Sequence, residues 1–317
     1  MDRDLLPLLL CPNCFDGELA ATEKWDELVC KCCQSSFPVS KGRPVLLSND
    51  NELFRNDDYV MVSSEPTVSG KSRLSRFLPA PSVNLSSGRV LKRLGKELTA
   101  MEHSIVLVVG GGRQRQQLSA LLNTGESVRV VYSDIDVDAD IDIFCDGHAL
   151  PFCSSSFDAV ITTAVLEHVM YPERVAGEIG RVLKADGWLY SELPFIQQVH
   201  EGAYDFTRYT LSGHRRLFSF VSEIESGMVA GPGTALVWSL ENFFLAFVAR
   251  SSLRKLIKIF TRIFFSWIKY ADYLLVSKPQ AMDGASCTYI LGRKTIKPRS
   301  DGEIISSYVG AKHLRHT

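Results

Sequence analysis

The sequence predicts an α/β fold in which helices cover an open, mostly parallel sheet, preceded by a small metal-stabilised module. Three observations predict it. Four cysteines near the amino terminus have the spacing of a structural zinc site, apolar strand-like runs then alternate with helical patterns, and a long helical stretch interrupts this alternation before the last strand. At 317 residues, the chain is long enough for two units of unequal size.

The cysteine module comes first. Its two Cys-x-x-Cys pairs are separated by fifteen residues, which is typical of a tetrahedral four-thiolate Zn²⁺ site with no position open for substrate. A segment of about fifty residues buries too little apolar surface to fold alone, so the metal would supply folding free energy. We therefore expect residues 1–49 to form a structural zinc ribbon. The predicted ligands are Cys11, Cys14, Cys30 and Cys33.

Composition limits the classes of function. The formal net charge is −1 with 22% charged residues, which speaks against a general binder of nucleic acid. The other cysteines are scattered and form no disulfide framework, so we expect a reducing, cytoplasmic compartment. The first residues lack the pattern of a signal peptide. The cysteines outside the predicted zinc site are Cys32, Cys145, Cys153 and Cys287.

A linker and an α/β alternation follow the ribbon. Residues 50–85 are rich in Ser, Pro, Asn and charge, which predicts a linker. Ser86 or Ser87 is placed to cap the next helix, and residues 105–193 then alternate between strand and helix patterns. The predicted strands are Ile105–Val109, Val128–Tyr132, Asp158–Thr162, Trp188–Leu193 and, near the end, Ser286–Lys294; the predicted helices are Gln114–Leu122 and Pro172–Leu183.

Glycines and acids follow the first two of these strands. Gly110-Gly111-Gly112 comes directly after the first strand, where a glycine turn lets the backbone approach a ligand closely. Asp134 follows the second strand, and a carboxylate there can accept both hydroxyls of a ribose. Asp136, two residues on, is the alternative for this role. Nicotinamide and flavin enzymes share these features, so the glycines and acids alone leave the cofactor open.

Motifs further along the chain indicate which class of cofactor-binding protein this is. The chain reads CDGHALPF over residues 145–152, SFDAV over 156–160, VLEHV over 165–169 and EIGRVLKADGWL over 178–189. This succession resembles the class I S-adenosylmethionine-dependent methyltransferases, in particular the methyltransferase type 11 group. The resemblance implies an enzyme with a Rossmann-like sheet over residues 86–300 and S-adenosylmethionine as cofactor.

The resemblance also implies roles for individual residues. The glycine turn 110–112 would line the methionine part of the donor, and Asp134, or Asp136, would hold the ribose. Asp146 would face the adenine amino group. Ala164, with the two residues after it, would form the wall beneath the sulfonium.

Two positions depart from the family pattern. Val108 stands where the family usually has an acid, and Gln114 stands where it has a third glycine. Both departures weaken the predicted donor site. A catalytically silent methyltransferase-fold scaffold is therefore an alternative.

The candidate catalytic residues follow the strand Trp188–Leu193. The segment from His200 to Thr210 is similar to a pattern H-x-x-P-x-D-F-x-R-F-T seen in some of these methyltransferases, with alanine in place of the proline. We expect His200 to be the base, with Asp205 and Arg208 orienting or binding the substrate. The alternative is that Asp205 and Arg208 only pin the loop and that His200 is a surface residue.

Residues 235–276 form a helical insertion. A basic amphipathic helix is typical of a peripheral membrane element, so a contact through residues 250–275 is one interpretation. The alternative is a hairpin that packs on the core or on a second subunit with its charges solvated. The apolar face comprises Leu253, Leu256, Ile257, Phe260, Phe264, Trp267 and Ala271, and the basic face Arg254, Lys258, Arg262 and Lys269.

The sequence of the ribbon indicates that a zinc ribbon and a catalytic domain are joined in one chain. Residues 5–48, with LLCPNC, LVC and FPVSKGRPVLL in order, resemble the small zinc-ribbon proteins that partner tRNA, rRNA and protein methyltransferases. The likeness implies a ribbon fused in cis to the catalytic domain, with residues 301–317 as a tail. We expect methyl transfer to oxygen or carbon of a small or lipid-linked acceptor, in the cytoplasm or at the inner face of a membrane. The alternative is an RNA methyltransferase that uses its ribbon for recognition; the sequence does not indicate the oligomeric state.

Overall fold

The computed structural model describes residues 3–60, 78–112, 114–123, 125 and 127–312. Within this part, short strands form the ribbon and longer, mostly buried strands form the centre of the molecule. The strands are β1 (Leu19–Ala21), β2 (Glu27–Cys30), β3 (Ser36–Ser40), β4 (Arg43–Leu46), β5 (Ser104–Val109), β6 (Val128–Asp134), β7 (Ile143–Cys145), β8 (Phe157–Thr163), β9 (Leu183–Pro194), β10 (Val221–Ala230) and β11 (Cys287–Lys294).

Helices cover the sheet and form the insertion. The helix after the linker begins at Ser87 with Ser86 at the N-cap position. The Ser86 hydroxyl makes no capping hydrogen bond to the helix and donates instead to the Met228 carbonyl at 2.7 Å. The helices are α1 (Asn56–Val60), α2 (Ser87–Thr99), α3 (Arg115–Leu122), α4 (Pro172–Val182), α5 (Leu211–Leu217), α6 (Pro232–Leu245), α7 (Ser251–Phe265), α8 (Asp272–Leu275) and α9 (Asp301–Ser306).

The strands join in the order β1-β2-β3-β4-β7-β6-β5-β8-β9-β11-β10. From β4 to β9 the pairings are parallel, whereas β11 and β10 are antiparallel. The strand order reverses between β5 and β8, and ligands of open α/β sheets bind at such a switch point, beyond the carboxyl ends of the strands. The predicted α/β class is confirmed. Among the strands that follow the ribbon, β7 and β10 were not predicted.

The ribbon is part of the main sheet. Val45 and Leu46 of β4 pair in parallel with Phe144 and Cys145 of β7. One continuous apolar core contains ribbon residues, among them Phe37, together with residues of the central strands. The zinc-binding segment and the α/β segment therefore share buried surface.

The insertion is a helical hairpin built from α6 and α7. The side of α7 that packs on α6 carries polar groups as well as aromatic rings. Thr261 is fully buried and its hydroxyl lies 3.3 Å from the buried Glu241 carboxylate, which also pairs with Arg262. Phe265 stacks on Phe244 of α6. The apolar face of α7 points outward, with Leu256 60% and Phe264 58% exposed. The apolar face of α7 is therefore not covered by the described residues of the chain, whereas other hairpin residues, such as Val237 and Asp272, are buried. Among the described residues, no helix is long and apolar enough to cross a membrane.

Candidate functional site

Four sulfurs converge in the ribbon. The Cys11 and Cys33 Sγ atoms are 3.6 Å apart, and the Cys14 and Cys30 Sγ atoms are 3.7 Å apart. Sulfurs placed about 2.3 Å from a tetrahedral Zn²⁺ would lie roughly 3.8 Å from one another. The donor set and its spacing therefore fit a structural zinc ion.

The surroundings of the cluster also suit thiolate ligands. The backbone amides of Cys32 and Cys33 point at Cys30 Sγ from 3.3 and 3.4 Å, a contact that stabilises negative charge on sulfur. Gly17 lies against the cluster, since a Cβ at this position would be 2.1 Å from Cys30 Sγ. Cys32 itself is exposed and outside the cluster.

The glycine turn lies where β5 ends. Gly110 has a φ of +71°, and a Cβ there would be 2.3 Å from Val165 Cγ2. A Cβ on Gly112 would be 2.3 Å from that of Ala139. Gly110 requires glycine because of its left-handed backbone and this close approach, and Gly112 because Ala139 leaves no room for a side chain.

Asp134 stands opposite this turn at the end of β6. Its Oδ1 accepts hydrogen bonds from the amides of Ile135 and Asp136, at 2.7 and 3.0 Å, and its Oδ2 accepts one from Gly112 at 3.2 Å. Burial raises the pKa of Asp134 while these amides lower it, and burial prevails. A carboxylate has about four acceptor positions, so Asp134 retains capacity for a ribose hydroxyl.

Asp146 is already engaged by neighbouring groups. Its Oδ1 accepts from the amide of His148 and contacts the His148 ring, and its Oδ2 accepts from the Asn51 side chain at 2.8 Å. Burial raises the pKa of Asp146, but the His148 contacts hold it below the usual value. Asn51 belongs to the predicted linker, and composition gave no signal that the linker reaches this carboxylate.

The departures from the family pattern are accommodated by local contacts. Val108 is fully buried in the core. The Gln114 side chain accepts a hydrogen bond from Thr163 at 3.2 Å, so it joins the start of α3 to the end of β8. Ala164 follows directly, exposed and with a φ of +54°. A left-handed non-glycine residue of this kind is a strained position that often marks a functional site.

Arg208 holds the loop after β9. Its guanidinium pairs with both carboxylate oxygens of Asp205, and its remaining donors reach the carbonyls of Gln197, Gln198 and Thr207. Burial raises the pKa of Asp205, but Arg208 holds it well below its usual range. Since all donors of Arg208 are used within the loop, the arrangement suits a residue that shapes the loop.

His200 stands on this loop. Asp205 accepts from its backbone amide at 2.8 Å, and the His200 Nδ1 atom lies 3.2 Å from the Gln198 carbonyl oxygen. The His200 ring centroid is 4.9 Å from that of His168 and 6.5 Å from that of Trp238 on α6. The loop therefore brings His200 to residues from two other elements.

Glu167 is the functional candidate that the sequence analysis did not identify. Its side chain is 1% exposed, and neither carboxylate oxygen has a hydrogen-bond partner among the described residues. Burial raises the pKa of Glu167 to about 7. In the sequence this residue lies within VLEHV, which carried the family resemblance but gave no indication of an unpartnered, buried acid.

Comparison with known proteins defines the class. A family model described as "Methyltransferase domain" matches residues 107–191, from β5 into β9. This span contains the glycine turn, Asp134, Asp146 and Ala164, which are the residues arranged at the carboxyl ends of the strands. The chain is an S-adenosylmethionine-dependent methyltransferase that carries a zinc ribbon.

The amino-terminal segment gives the family. It is 38% identical over 58 residues to the UPF0434 protein YcaR of Salmonella paratyphi B, which corresponds to 18% of this chain and 95% of that protein. Through this segment the chain belongs to the UPF0434 family. The four-cysteine cluster lies within the same part of the chain.

Solved methyltransferase structures are similar at low identity. The complex between the Haloferax volcanii Trm112 methyltransferase activator and a methyltransferase is 16% identical, with a TM-score of 0.43 over 66% of this chain and 91% of that chain. Haemonchus contortus phosphoethanolamine N-methyltransferase 2 with S-adenosyl-L-methionine is 15% identical, with a TM-score of 0.40 over 65% and 52%. At these values neither structure bears on the acceptor.

Proposed function

We propose that this enzyme transfers a methyl group from S-adenosylmethionine to oxygen or carbon of a lipid-linked or otherwise amphipathic acceptor at a membrane surface. The observation that carries the proposal is the apolar, outward-facing side of α7, on a hairpin that also contacts the loop of His200. The glycine turn, Asp134, Asp146 and Ala164 are proposed as the donor site, with Asp136 as the alternative ribose ligand.

The loop of His200 is proposed as the acceptor side. It follows β9, beside the carboxyl end of β8 where Ala164 lies, so an acceptor bound there would be next to the donor sulfur. We assign His200 to contact the acceptor, with Asp205 and Arg208 as positioning residues. Their mutual contacts support these roles, because they orient the backbone that carries His200.

The hairpin is joined to this loop. The Gln198 side chain donates a hydrogen bond to the Ser239 hydroxyl of α6 at 2.9 Å, and Trp238 faces His200. A hairpin that rests on lipid would therefore place the acceptor loop close to the same surface. This proximity supports a lipid-linked acceptor over a freely diffusing one.

The charge of the hairpin suits an anionic bilayer. Between Arg250 and Lys278 the only acid in the sequence is Asp272, which is fully buried. Of the predicted basic face, Lys269 is buried and Arg262 pairs with Glu241, so these two are not available to a membrane. The exposed basic residues of the segment are Arg250, Lys255, Lys258 and Lys278. Exposed aromatic and aliphatic side chains lie beside them. This combination supports contact with anionic lipid, because apolar burial and attraction to anionic headgroups add to each other. The exposed apolar side chains include Leu253, Leu256, Phe260, Ile263, Phe264, Trp267 and Leu274.

Vesicle flotation tests the membrane contact. The full chain should float with phosphatidylglycerol vesicles and much less with phosphatidylcholine vesicles, and Phe264→Ser with Trp267→Ser should weaken flotation roughly tenfold or more. Ile296→Ser is the matched control, since Ile296 is 97% exposed outside the hairpin. An equal loss of flotation in the control would overturn the membrane assignment. So would light scattering that shows a dimer in the wild type and a monomer in the double variant.

The acceptor assignment needs a separate measurement. Radiolabelled donor incubated with a total lipid extract should yield labelled, solvent-extractable product. Label incorporated into bulk RNA instead, with binding that falls steeply as salt rises, would favour the RNA methyltransferase.

A further inference from the structure

We propose that Glu167, His168 and His200 form a binding site for a divalent first-row transition-metal ion, separate from the ribbon zinc and beside the methyl-donor site. One carboxylate oxygen and one ring nitrogen from each histidine lie within 4.8 Å of one another. Two imidazoles and a carboxylate form a ligand set suited to Zn²⁺, Fe²⁺, Mn²⁺ or Co²⁺.

The unpartnered state of Glu167 points to an ion. A buried carboxylate without hydrogen bonds is costly, and proteins rarely keep one unless a counter-charge compensates it. The His168 Nε2 atom lies 3.6 Å from Glu167 Oε1, which is near the spacing of two ligands of one ion. Ligand atoms about 2.1 Å from an ion lie roughly 3 Å apart, so small side-chain adjustments would close the site.

Both histidines have the tautomer that an ion requires. The His168 Nδ1 atom is 2.7 Å from the Tyr204 carbonyl oxygen, and the His200 Nδ1 atom is 3.2 Å from that of Gln198. Because a carbonyl can only accept, Nδ1 carries the proton in each ring and Nε2 keeps its lone pair. Ligating histidines in metalloproteins commonly donate their second N–H to such a carbonyl.

The segments that carry the ligands are tied together. The amides of Phe206 and Thr207 donate to the Glu167 carbonyl oxygen at 2.7 and 3.4 Å. Asp205 holds the His200 backbone amide and is itself held by Arg208. The fold thus holds the three ligand-bearing residues near one another without help from an ion.

An ion at this position would keep coordination sites open to oxygen atoms of the acceptor, so His200 would act on the acceptor through the ion that it binds. This part of the inference rests on the proposed function, whereas ion binding itself does not. The ion and its three ligand residues would then select acceptors that offer hydroxyl or carboxylate oxygens.

Cobalt titration of the zinc-loaded full chain tests the site. One Co²⁺ should bind beyond the ribbon metal, with the weak visible bands of nitrogen and oxygen ligands and without the intense sulfur charge-transfer absorption of a thiolate site. Glu167→Gln and His200→Ala should each weaken binding at least ~10-fold. Glu201→Gln, which removes a neighbouring carboxylate of the same loop, should change Co²⁺ binding less than ~2-fold.

The outcomes separate this inference from the proposed function. No second Co²⁺, or equal losses in Glu167→Gln and Glu201→Gln, would overturn the ion site. Thermal unfolding shows whether each variant is folded. If Glu167→Gln does not fold, His200→Ala, a change on the loop, tests the ion site in its place. Donor calorimetry on the same samples is independent: Co²⁺ binding without donor binding would leave the ion site and overturn the proposed function.

Discussion

Asp134 illustrates how backbone amides fix the orientation of a carboxylate. Three amides hold its carboxylate, and one of them, from Gly112, belongs to the glycine turn across from it. Fixing the carboxylate before the donor arrives reduces the entropy lost on binding. In the proposed donor site the residue therefore contributes both direction and charge.

Asp134→Asn should weaken S-adenosylmethionine binding by ~10–100-fold, since a hydrogen bond to a charged group contributes about 1.5–3 kcal/mol. Isothermal titration calorimetry measures the change. Asp138→Asn, in the exposed part of the following loop, is the control and should bind normally. Unchanged affinity in Asp134→Asn would remove Asp134 from the site.

His214 is a buried histidine whose titration affects stability. Its ring lies 2.9 Å from the Ser191 hydroxyl and 3.4 Å from that of Thr288, with no exposed surface. Burial lowers the pKa of His214 from 6.5 to about 3. The unfolded chain therefore takes up a proton between these pH values and the folded chain does not.

Stability should accordingly be complete above pH 6.5 and fall on acidification, with His214 contributing a loss of about 2 kcal/mol between pH 6.5 and 5. Urea unfolding at pH 7 and pH 5 measures this difference. His214→Asn should lower stability at pH 7 and flatten the pH dependence, while the exposed His103→Asn should leave the slope unchanged. An identical slope in His214→Asn would contradict the assignment.

At the scale of elements, the hairpin depends on one buried carboxylate. Asp272, at the start of α8, accepts from the amides of Gly231, Gly233 and Thr234 and from the Thr234 hydroxyl, between 2.6 and 3.2 Å. It satisfies free amides at the start of α6 from another helix. A Cβ on Gly231 would be 2.6 Å from Asp272 Oδ1, so glycine is needed for this approach.

Asp272→Ala should destabilise the protein by about 3 kcal/mol, because the buried donors would lose a charged acceptor. The stability of Asp272→Asn, which keeps one side-chain oxygen, should lie between that of Asp272→Ala and that of the wild type. Chemical denaturation gives the free energies of unfolding. Equal stability of Asp272→Ala and wild type would show that the hairpin is held by other contacts.

At the scale of the whole molecule, the ribbon and the methyltransferase domain are joined through β4 and β7 and through a common core. The amide of Leu10 also donates to the carbonyl of Pro151, within the CDGHALPF segment, at 2.9 Å. Because buried apolar contacts cross the boundary, unfolding of one part exposes surface of the other. We infer that the two parts unfold together.

Cys14→Ser should therefore lose one equivalent of zinc and lower the stability of the whole chain by about 3 kcal/mol or more, roughly 5–10 °C in Tm, in a single transition. Metal analysis and differential scanning calorimetry measure both effects. The exposed Cys32→Ser is the matched control and should keep zinc and Tm. Two separated transitions would contradict the coupling.

The central strands could be predicted because each is a buried apolar run with few alternatives. β7 was missed because three residues carry no periodicity, and its place is decided by pairing with β4 and β6. β10 was missed because its edge position leaves polar residues in the strand. Pairing partners far apart in sequence, rather than local preference, determine both strands.

The sequence by itself determined the four-cysteine set that fits zinc, the parallel α/β arrangement and the methyltransferase class, because these depend on spacing and order along the chain. Tertiary structure alone decided that Asn51 reaches Asp146, that α7 faces its apolar side outward, and that Glu167 is buried without a hydrogen bond near two histidines. The physical reason is that burial and pairing of a polar group depend on every segment packed around it, and local sequence does not specify those segments.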